Sequence, residues 1–511
     1  MKVKYNFMFV VISILLFASR LIQFGIIPGG VHVDEAYAGY EAWAMLSAGT
    51  DSWGYTNPVY LTVWGSGMSV MNAILMMPFI SVFGLNEVTI RLPQVMIAIA
   101  SVYVFYLLIK KIWGQKAAII GFFLITICPW HMMMSRWGLD CNLAPGFLIF
   151  STYFFVKGIE KNKYFILAGL FFGLSLYCYA TIWIVLPILL LVWGIYCLCN
   201  KVIKEYRYVW IGIGVLGMLA IPLLLFVAVN IGLIEEITTE WISIPKLVVF
   251  RSDELGWTNL FENIKQLIRL FIVQEDGKIW NAIPYFGMYY LFSVPFMVAG
   301  GLISIARVVK SMKEGKICYE FFILSWVIIG CLCAVFQAVN VYQINYCHVP
   351  LIILWMIGVH ECCEKFGHVA KKIVVVLYLL SFGLFMGYYL TEFQDKISKR
   401  QLSGTEEAIS KALELFETGE YDAICLTEEL RHPRVLFYTQ WPVDEYIESV
   451  TWQNYPDRYL KAASFGPFCW EDIQESKEQY IYIIEQSEME FFKAEGWNLE
   501  EYDYMIVAYK P

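Results

Sequence analysis

The sequence predicts an all-α polytopic membrane domain of about eleven transmembrane helices, with interfacial helices beside them and a small C-terminal α/β domain that lies outside the cytoplasm. Three observations predict it. Of 511 residues, 59% are hydrophobic and only 16% are charged, with a mean hydropathy of +0.58. A soluble domain is roughly 45–50% apolar. Apolar runs near 20 residues long recur up to about residue 391, which is the length a helix needs to cross a bilayer core. Charge then changes abruptly. Residues 391–511 hold 25 acidic and 11 basic side chains, leaving 20 and 26 to the rest. A mildly basic part, 1–391, and a strongly acidic tail, 392–511, read as two domains in two environments.

The first span runs over about 5–27, behind Lys2 and Lys4. It has no small-residue cleavage pattern and reads as a retained helix rather than a leader. Further spans are predicted near 91–109, 117–131, 145–157, 164–180, 182–199, 208–230, 284–306, 318–339, 347–362 and 373–391. Basic residues cluster on every second connection: Lys110/Lys111/Lys116, Lys157/Lys161/Lys163, Lys201/Lys204/Arg207, Arg307/Lys310/Lys313/Lys316 and Lys365/Lys371/Lys372. The positive-inside rule puts these and the N-terminus in the cytoplasm of a plasma-membrane protein. The segment 67–84 is apolar enough to span, but a crossing there would turn every later basic cluster outward. It reads as an interfacial or re-entrant helix.

The tail shows strand-like runs at 421–427, 434–440, 480–485 and 502–509, behind a helical stretch at 406–417. It has no glycine-rich nucleotide loop. Thirteen cysteines lie mostly in apolar runs, as Cys197, Cys331 and Cys333 do, without paired zinc spacing. Cys425 and Cys469 are the only two in the tail, and the sequence leaves open whether they pair.

The chain is organised around residues 31–49, V-H-V-D-E-A-Y-A-G-Y-E-A-W-A-M-L-S-A-G, directly after the first span. Adjacent carboxylates beside a membrane are costly unless a partner, metal or water satisfies them, so Asp34 and Glu35 read as a site. Asp34 can also cap the helix that follows, and Gly49 suits its end. Neighbours sit about 100° apart on a helix, so one of the two faces any given cavity, and Asp34 is the choice. Under the charge-based topology, further polar groups fall on the same outer face. These are Arg91, the loop carrying His131, Arg136, Trp137, Asp140 and Asn142, and the long loop with Lys246, Arg251, Asp253 and Glu254. No kinase, Walker or dinucleotide motif is present.

Carboxylates, arginines and aromatics together suit sugar transfer from a lipid phosphate. A carboxylate takes the acceptor hydroxyl's proton as that oxygen attacks the anomeric carbon. The phosphate leaving group needs its charge neutralised, by arginine or by a divalent metal such as Mg or Mn on Asp34 and Asp140. Bland readings stand beside these. Arg91 and Arg136 can be interfacial anchors, and Trp43, Trp64, Trp130 and Trp137 an aromatic belt. His131 suits a hydrogen-bonded histidine better than a metal ligand, and Gly169-x-x-x-Gly173 reads as a helix-packing surface.

The chain resembles the GT-C-type membrane glycosyltransferases, in the protein O-mannosyltransferase and aminoarabinose-transferase-like superfamily (glycosyltransferase family 39-like, bacterial). Asp34-Glu35 after the first span carries the resemblance, with G-Y-E-A-W at 39–43, F-G-x-N-E…R-L-P at 83–93 and P-W-H…S-R-W-G-L-D-x-N at 129–142. It covers about residues 1–230. The resemblance implies a GT-C-like fold, a polyprenyl-phosphate sugar donor and chemistry on the outer face. It implies Asp34 as catalytic base, with Glu35 beside it, and Asp140 as the second-loop acid. Arg91, Arg136, His131, Trp137, Asn142, Tyr37 and Arg251 are the substrate-binding candidates. The acceptor would be a lipid, glycan or protein, and nucleic acid is not expected. Where relatives carry His-Pro-Pro in the first loop, this chain has Asn57-Pro58-Val59-Tyr60. Two rival classes are a lipid or glycan transporter (a flippase), which would want midplane charges and inverted repeats, and a non-catalytic envelope assembly protein, which would work through its tail.

Overall fold

The computed structural model describes residues 2–251, 256 and 259–510, so Asp253 and Glu254 lie outside the described residues. The helices are α1 (Lys2–Leu21), α2 (Val33–Ser47), α3 (Met71–Phe83), α4 (Glu87–Ile127), α5 (Pro129–Met134), α6 (Ala144–Glu160), α7 (Tyr164–Ser175), α8 (Ile182–Cys199), α9 (Tyr206–Asn230), α10 (Leu260–Val273), α11 (Val294–Glu314), α12 (Tyr319–Ala334), α13 (Asn345–Leu390), α14 (Glu392–Arg400), α15 (Thr405–Phe416), α16 (His432–Thr439), α17 (Val443–Ser449) and α18 (Met489–Ala494). The strands are β1 (Ile237–Thr238), β2 (Ser243–Ile244), β3 (Ala423–Leu426), β4 (Thr451–Trp452), β5 (Ala462–Phe465), β6 (Phe468–Cys469), β7 (Tyr480–Glu485), β8 (Asn498–Tyr502) and β9 (Met505–Tyr509).

Among the described residues, six helices are long and apolar enough to cross a membrane by length and composition: α1, α4, α8, α9, α11 and α13. Shorter apolar helices are α3, α7 and α12, of 13, 12 and 16 residues. Leu191, Met218 and Leu384 stand exposed on α8, α9 and α13, a surface that suits lipid. The protein is a multi-pass membrane protein. Helices α4 and α13 are each interrupted at a glycine in the left-handed region, Gly114 at φ 83° and Gly367 at φ 74°. Glycine alone adopts that conformation at no steric cost. Each helix thus has two apolar legs, and the breaks fall beside Lys110/Lys111/Lys116 and Lys365/Lys371/Lys372.

The chain forms two compact units. One gathers Met1–Ile22, Gln94–Pro222 and Ser252–Leu390. In it α6 packs on α7, α11 on α13, and α12 on both α8 and α13. Gly169 packs α7 against the later helix: a Cβ there would lie 2.1 Å from the Gly212 carbonyl oxygen. The packing role expected of that glycine pattern is what the backbone uses. The predicted 284–306 span is displaced, since α11 starts at Val294 and runs to Glu314. The long 231–283 loop holds an unforeseen amphipathic helix, α10.

The other unit gathers Gln23–Pro93, Leu223–Arg251 and Thr391–Pro511. Its centre is a seven-stranded sheet in the order β4-β5-β6-β3-β7-β9-β8. β3 pairs in parallel with β6 and β7, and the remaining neighbours are antiparallel. The expected strands at 421–427, 480–485 and 502–509 contain β3, β7 and β9. The run 434–440 is not a strand but most of α16, started by Pro433 in its first turn and closed by Gln440 in a left-handed conformation. Proline at a helix start is pre-set for φ and has no N–H to waste. The sheet's core includes Tyr40 and Ala44 of α2 beside Ile424, Val435, Phe465, Ile483 and Val507. Cys425 and Cys469 face each other in register on β3 and β6 as free thiols.

Candidate active site

In the second unit the acidic motif opens α2. The cap is His32, not Asp34: its Nδ1 accepts from the Asp34 N–H at 3.2 Å, while the His32 N–H donates to Glu35 Oε2 at 3.1 Å. The histidine and glutamate complete a reciprocal box of the kind Ser and Glu usually make. The Asp34 carboxylate is therefore not spent on the cap. Its Oδ1 accepts the Trp64 indole N–H at 2.9 Å, its Oδ2 lies 3.7 Å from His32 Nδ1, and the side chain is 39% exposed. The helix ends at Ser47, with Gly49 just beyond at φ 79°.

One residue and about 100° further round α2, Glu35 is wholly buried. It accepts from Arg91 Nε at 3.1 Å and Nη2 at 3.0 Å. Arg91, expected to hold phosphate, instead also donates to the carbonyls of Pro28 at 2.8 Å and Gly30 at 2.6 Å. Tyr37, one turn after Asp34, is buried edge-on to Trp64 and His432, with ring centroids at 5.4 and 5.5 Å. Arg251 joins the same neighbourhood. Its Nη2 donates to the Ser66 hydroxyl and its guanidinium lies 4.8 Å over the Tyr459 ring.

Below this face lies a second carboxylate pair. Glu41, two turns after Asp34, accepts the Ser52 N–H at 2.8 Å and the Ser52 hydroxyl. Asp51 Oδ1 accepts from Tyr55 N at 2.8 Å and Trp53 N at 3.0 Å. Burial, and then the nearby Asp51, push Glu41 up from the ordinary carboxylate range. Burial also pushes Asp51 up, against the lowering effect of its two backbone donors.

In the first unit, α5 and the turn after it bring together His131, Arg136, Trp137, Asp140 and Asn142. Arg136 is buried and donates to the carbonyls of Ile22 at 2.8 Å, Arg20 at 3.1 Å and Ser19 at 3.4 Å. It holds the end of α1. His131 Nδ1 lies 3.0 Å from Arg20 Nη2, while Arg20 Nη1 donates to the Ser19 hydroxyl and the Thr126 carbonyl. His131 is thus the hydrogen-bonded histidine of the plainer reading. Asn142 Oδ1 accepts from Asn345 at 3.1 Å, and Trp137 is buried. Asp140 is half-buried, its Oδ1 accepting the Cys141 N–H at 2.6 Å.

The candidates thus form two groups: Asp34, Glu35, Tyr37, Arg91 and Arg251 in one unit, and His131, Arg136, Trp137, Asp140 and Asn142 in the other. Among the described residues no group of three or more His, Cys, Asp or Glu side chains is arranged to hold a metal ion. Chemically, the second unit offers a half-exposed carboxylate anchored through one oxygen, beside a carboxylate fully neutralised by arginine.

Sequence reasoning passed over Trp64 as a belt residue and missed Arg20, His432 and the Glu41/Asp51 pair. Arg20 had a signal, a lone arginine at the end of an apolar run. His432 and Asp51 had none, since their roles arise only from residues distant in the chain.

Residues 68–226 match the family model described as dolichyl-phosphate-mannose-protein mannosyltransferase. A curated relative, YkcB of Bacillus subtilis (strain 168), is described provisionally as a mannosyltransferase. It is 33% identical over 91 residues, 18% of this chain and 13% of its own length. The fold is similar to that of ArnT from Cupriavidus metallidurans bound to undecaprenyl phosphate, with 12% identity, a TM-score of 0.54 and 99% of each chain covered. Against the apo form of that protein the TM-score is 0.55, over 99% of this chain and 98% of the other. The protein therefore has the fold of the GT-C membrane glycosyltransferases.

Proposed function

We propose that the protein transfers one sugar from a polyprenyl-phosphate carrier to an acceptor hydroxyl, with inversion at the anomeric carbon, on the outer face of the plasma membrane. The observation that carries this reading is Asp34. Its carboxylate is half-exposed at the head of α2 and fixed through one oxygen by the Trp64 indole, while the adjacent Glu35 is buried on Arg91. That is the placement a general base needs: oriented and reachable. The match to a dolichyl-phosphate-mannose-dependent family over 68–226 and the fold shared with an undecaprenyl-phosphate-binding protein support a lipid-phosphate donor.

In the step itself the acceptor oxygen attacks the anomeric carbon and the bond from that carbon to the phosphate oxygen breaks. The acceptor's proton passes to Asp34, and the polyprenyl phosphate leaves as an anion. Arg251 is the arginine we assign to that anion, being half-buried beside the Trp64 turn. Arg91 and Arg136 are assigned to holding backbone: Arg91 fixes 28–35 and Arg136 fixes the end of α1. We assign eleven crossings by counting the two legs of α4 and of α13 separately and adding the shorter α6, α7 and α12 to the six long apolar helices. The N-terminus is then cytoplasmic and the tail outside, with α3 not crossing. Length alone does not separate α3 from α7; the alternation of basic clusters does.

The test is transfer from a panel of radiolabelled polyprenyl-phosphate hexoses and pentoses to an envelope extract, using purified protein in liposomes with and without chelator. Transfer by the wild type that vanishes in Asp34→Asn supports the class and the base together. No transfer from any donor by folded protein overturns the reading.

A further inference from the structure

We infer that Trp64 is a positioning residue for Asp34, and that the C-terminal segment of the chain holds it in place. This rests on the proposal that Asp34 is the base. Trp64 sits in a conformation that a bulky side chain rarely adopts, φ 60° and ψ −5°. Such strain survives only where the surroundings over-determine it, and it concentrates at functional sites.

The surroundings here are specific. The Trp64 carbonyl accepts the Leu460 N–H at 2.9 Å. The next residue, Gly65, has φ 82°, and a Cβ there would lie 2.8 Å from Leu460 Cδ1 and 3.0 Å from the Asp457 carbonyl. Its own carbonyl accepts the Val249 N–H at 3.0 Å. Trp64 is 9% exposed, and its ring lies edge-on to Tyr37 at 5.4 Å and to His432 at 5.6 Å. His432 is itself walled by Tyr37 and Trp452, and burial lowers its imidazole to about 3, so it packs as a neutral ring. Backbone and ring are thus both gripped, and two of the grips, Leu460 and His432, come from the tail.

What the grip delivers is one hydrogen bond, from Trp64 Nε1 to Asp34 Oδ1 at 2.9 Å. It stops the carboxylate from rotating and leaves Oδ2 as the oxygen presented to an acceptor. Holding a reacting group in one geometry is a rate effect more than an affinity effect. The tail's role is therefore to shape the catalytic carboxylate as well as to fold.

The test compares full-length protein carrying Trp64→Phe, or 3-benzothienylalanine at position 64, with wild type. Benzothienylalanine keeps the indole shape and lacks its N–H. The donor is whichever polyprenyl-phosphate sugar the wild type turns over. Both variants are expected to lose about tenfold in kcat, the size of one hydrogen bond to a charged group, with KM within about twofold. Wild-type kcat with benzothienylalanine would show that shape alone matters and overturn the inference. An active Asp34→Asn would instead overturn the base assignment, so the two failures are distinguishable. A second readout needs no turnover: the Trp64 indole N–H resonance, assigned by its loss in Trp64→Phe, is expected to move upfield in Asp34→Ala. An unmoved resonance overturns the hydrogen bond.

Discussion

Asp34 and Glu35 are neighbours with opposite surroundings, and substitutions should separate them. Asp34→Asn keeps the Trp64 contact and the fold, so transfer should fall while the unfolding temperature holds. Glu35→Gln takes from the buried Arg91 its nearer counter-charge and leaves it only the more distant Glu87 at 4.0 Å, a loss of about 3 kcal/mol. It should lower the unfolding temperature measured by dye-based melting, and a Tm equal to wild type would contradict the pairing. Glu41 and Asp51 carry a pH signature. Both are pushed up in the fold from ordinary values of 4.5 and 3.8. Above those values the unfolded chain gives up protons that the folded chain keeps. The stability they contribute is complete at low pH and is lost as pH rises through their folded values. Hydrogen exchange of the 49–56 turn, corrected for intrinsic rates, should show weakening protection as pH is raised from about 5 to 8. Glu41→Gln should flatten that trend. The reach of an indole from position 64 to Asp34 was invisible in the sequence because no spacing rule links residues 30 positions apart in a loop.

At the scale of elements, hydropathy made most of the helices legible, because a bilayer selects long apolar runs whatever their detailed packing. The breaks at Gly114 and Gly367 fall where lysine clusters already marked loops. Misreading came where propensity and context disagree. R-V-L-F-Y-T-Q at 434–440 is rich in β-branched and aromatic residues, yet Pro433 starts a helix there, and α16 buries Val435 and Leu436 beside α2. Helix α10 was lost in a long loop because its 14 residues are too few to read as a span. The clearest element-scale prediction concerns α7 and the helix it crosses. A side chain at 169 meets the Gly212 backbone, which has no rotamer to move. Gly169→Val should cost about 2–3 kcal/mol and shrink the monodisperse peak in size-exclusion chromatography, whereas Gly194→Val, with nothing within 4 Å, should not.

At the scale of the molecule, the sequence boundary near 391 separates charge compositions, but the compact unit that contains the tail also contains the first loop. The tail's apolar core takes Tyr40 and Ala44 from α2, and Tyr40 donates its hydroxyl to the Trp441 carbonyl at 2.6 Å. Fragment 391–511 alone should therefore bind an apolar dye and melt low, and tethering residues 33–47 to it should reverse both. Charge composition could not reveal this, since it reports the solvent a segment meets and not the partner it packs on. The central claim, that Asp34 is the base of a lipid-phosphate-dependent sugar transfer, is tested most directly by one ratio. It is the initial transfer rate of Asp34→Asn over that of wild type, at equal folded concentration and saturating donor. The account predicts a ratio below about 10⁻², with the unfolding temperature unchanged. A ratio within a factor of about three of unity, in protein that still melts as wild type does, would contradict it.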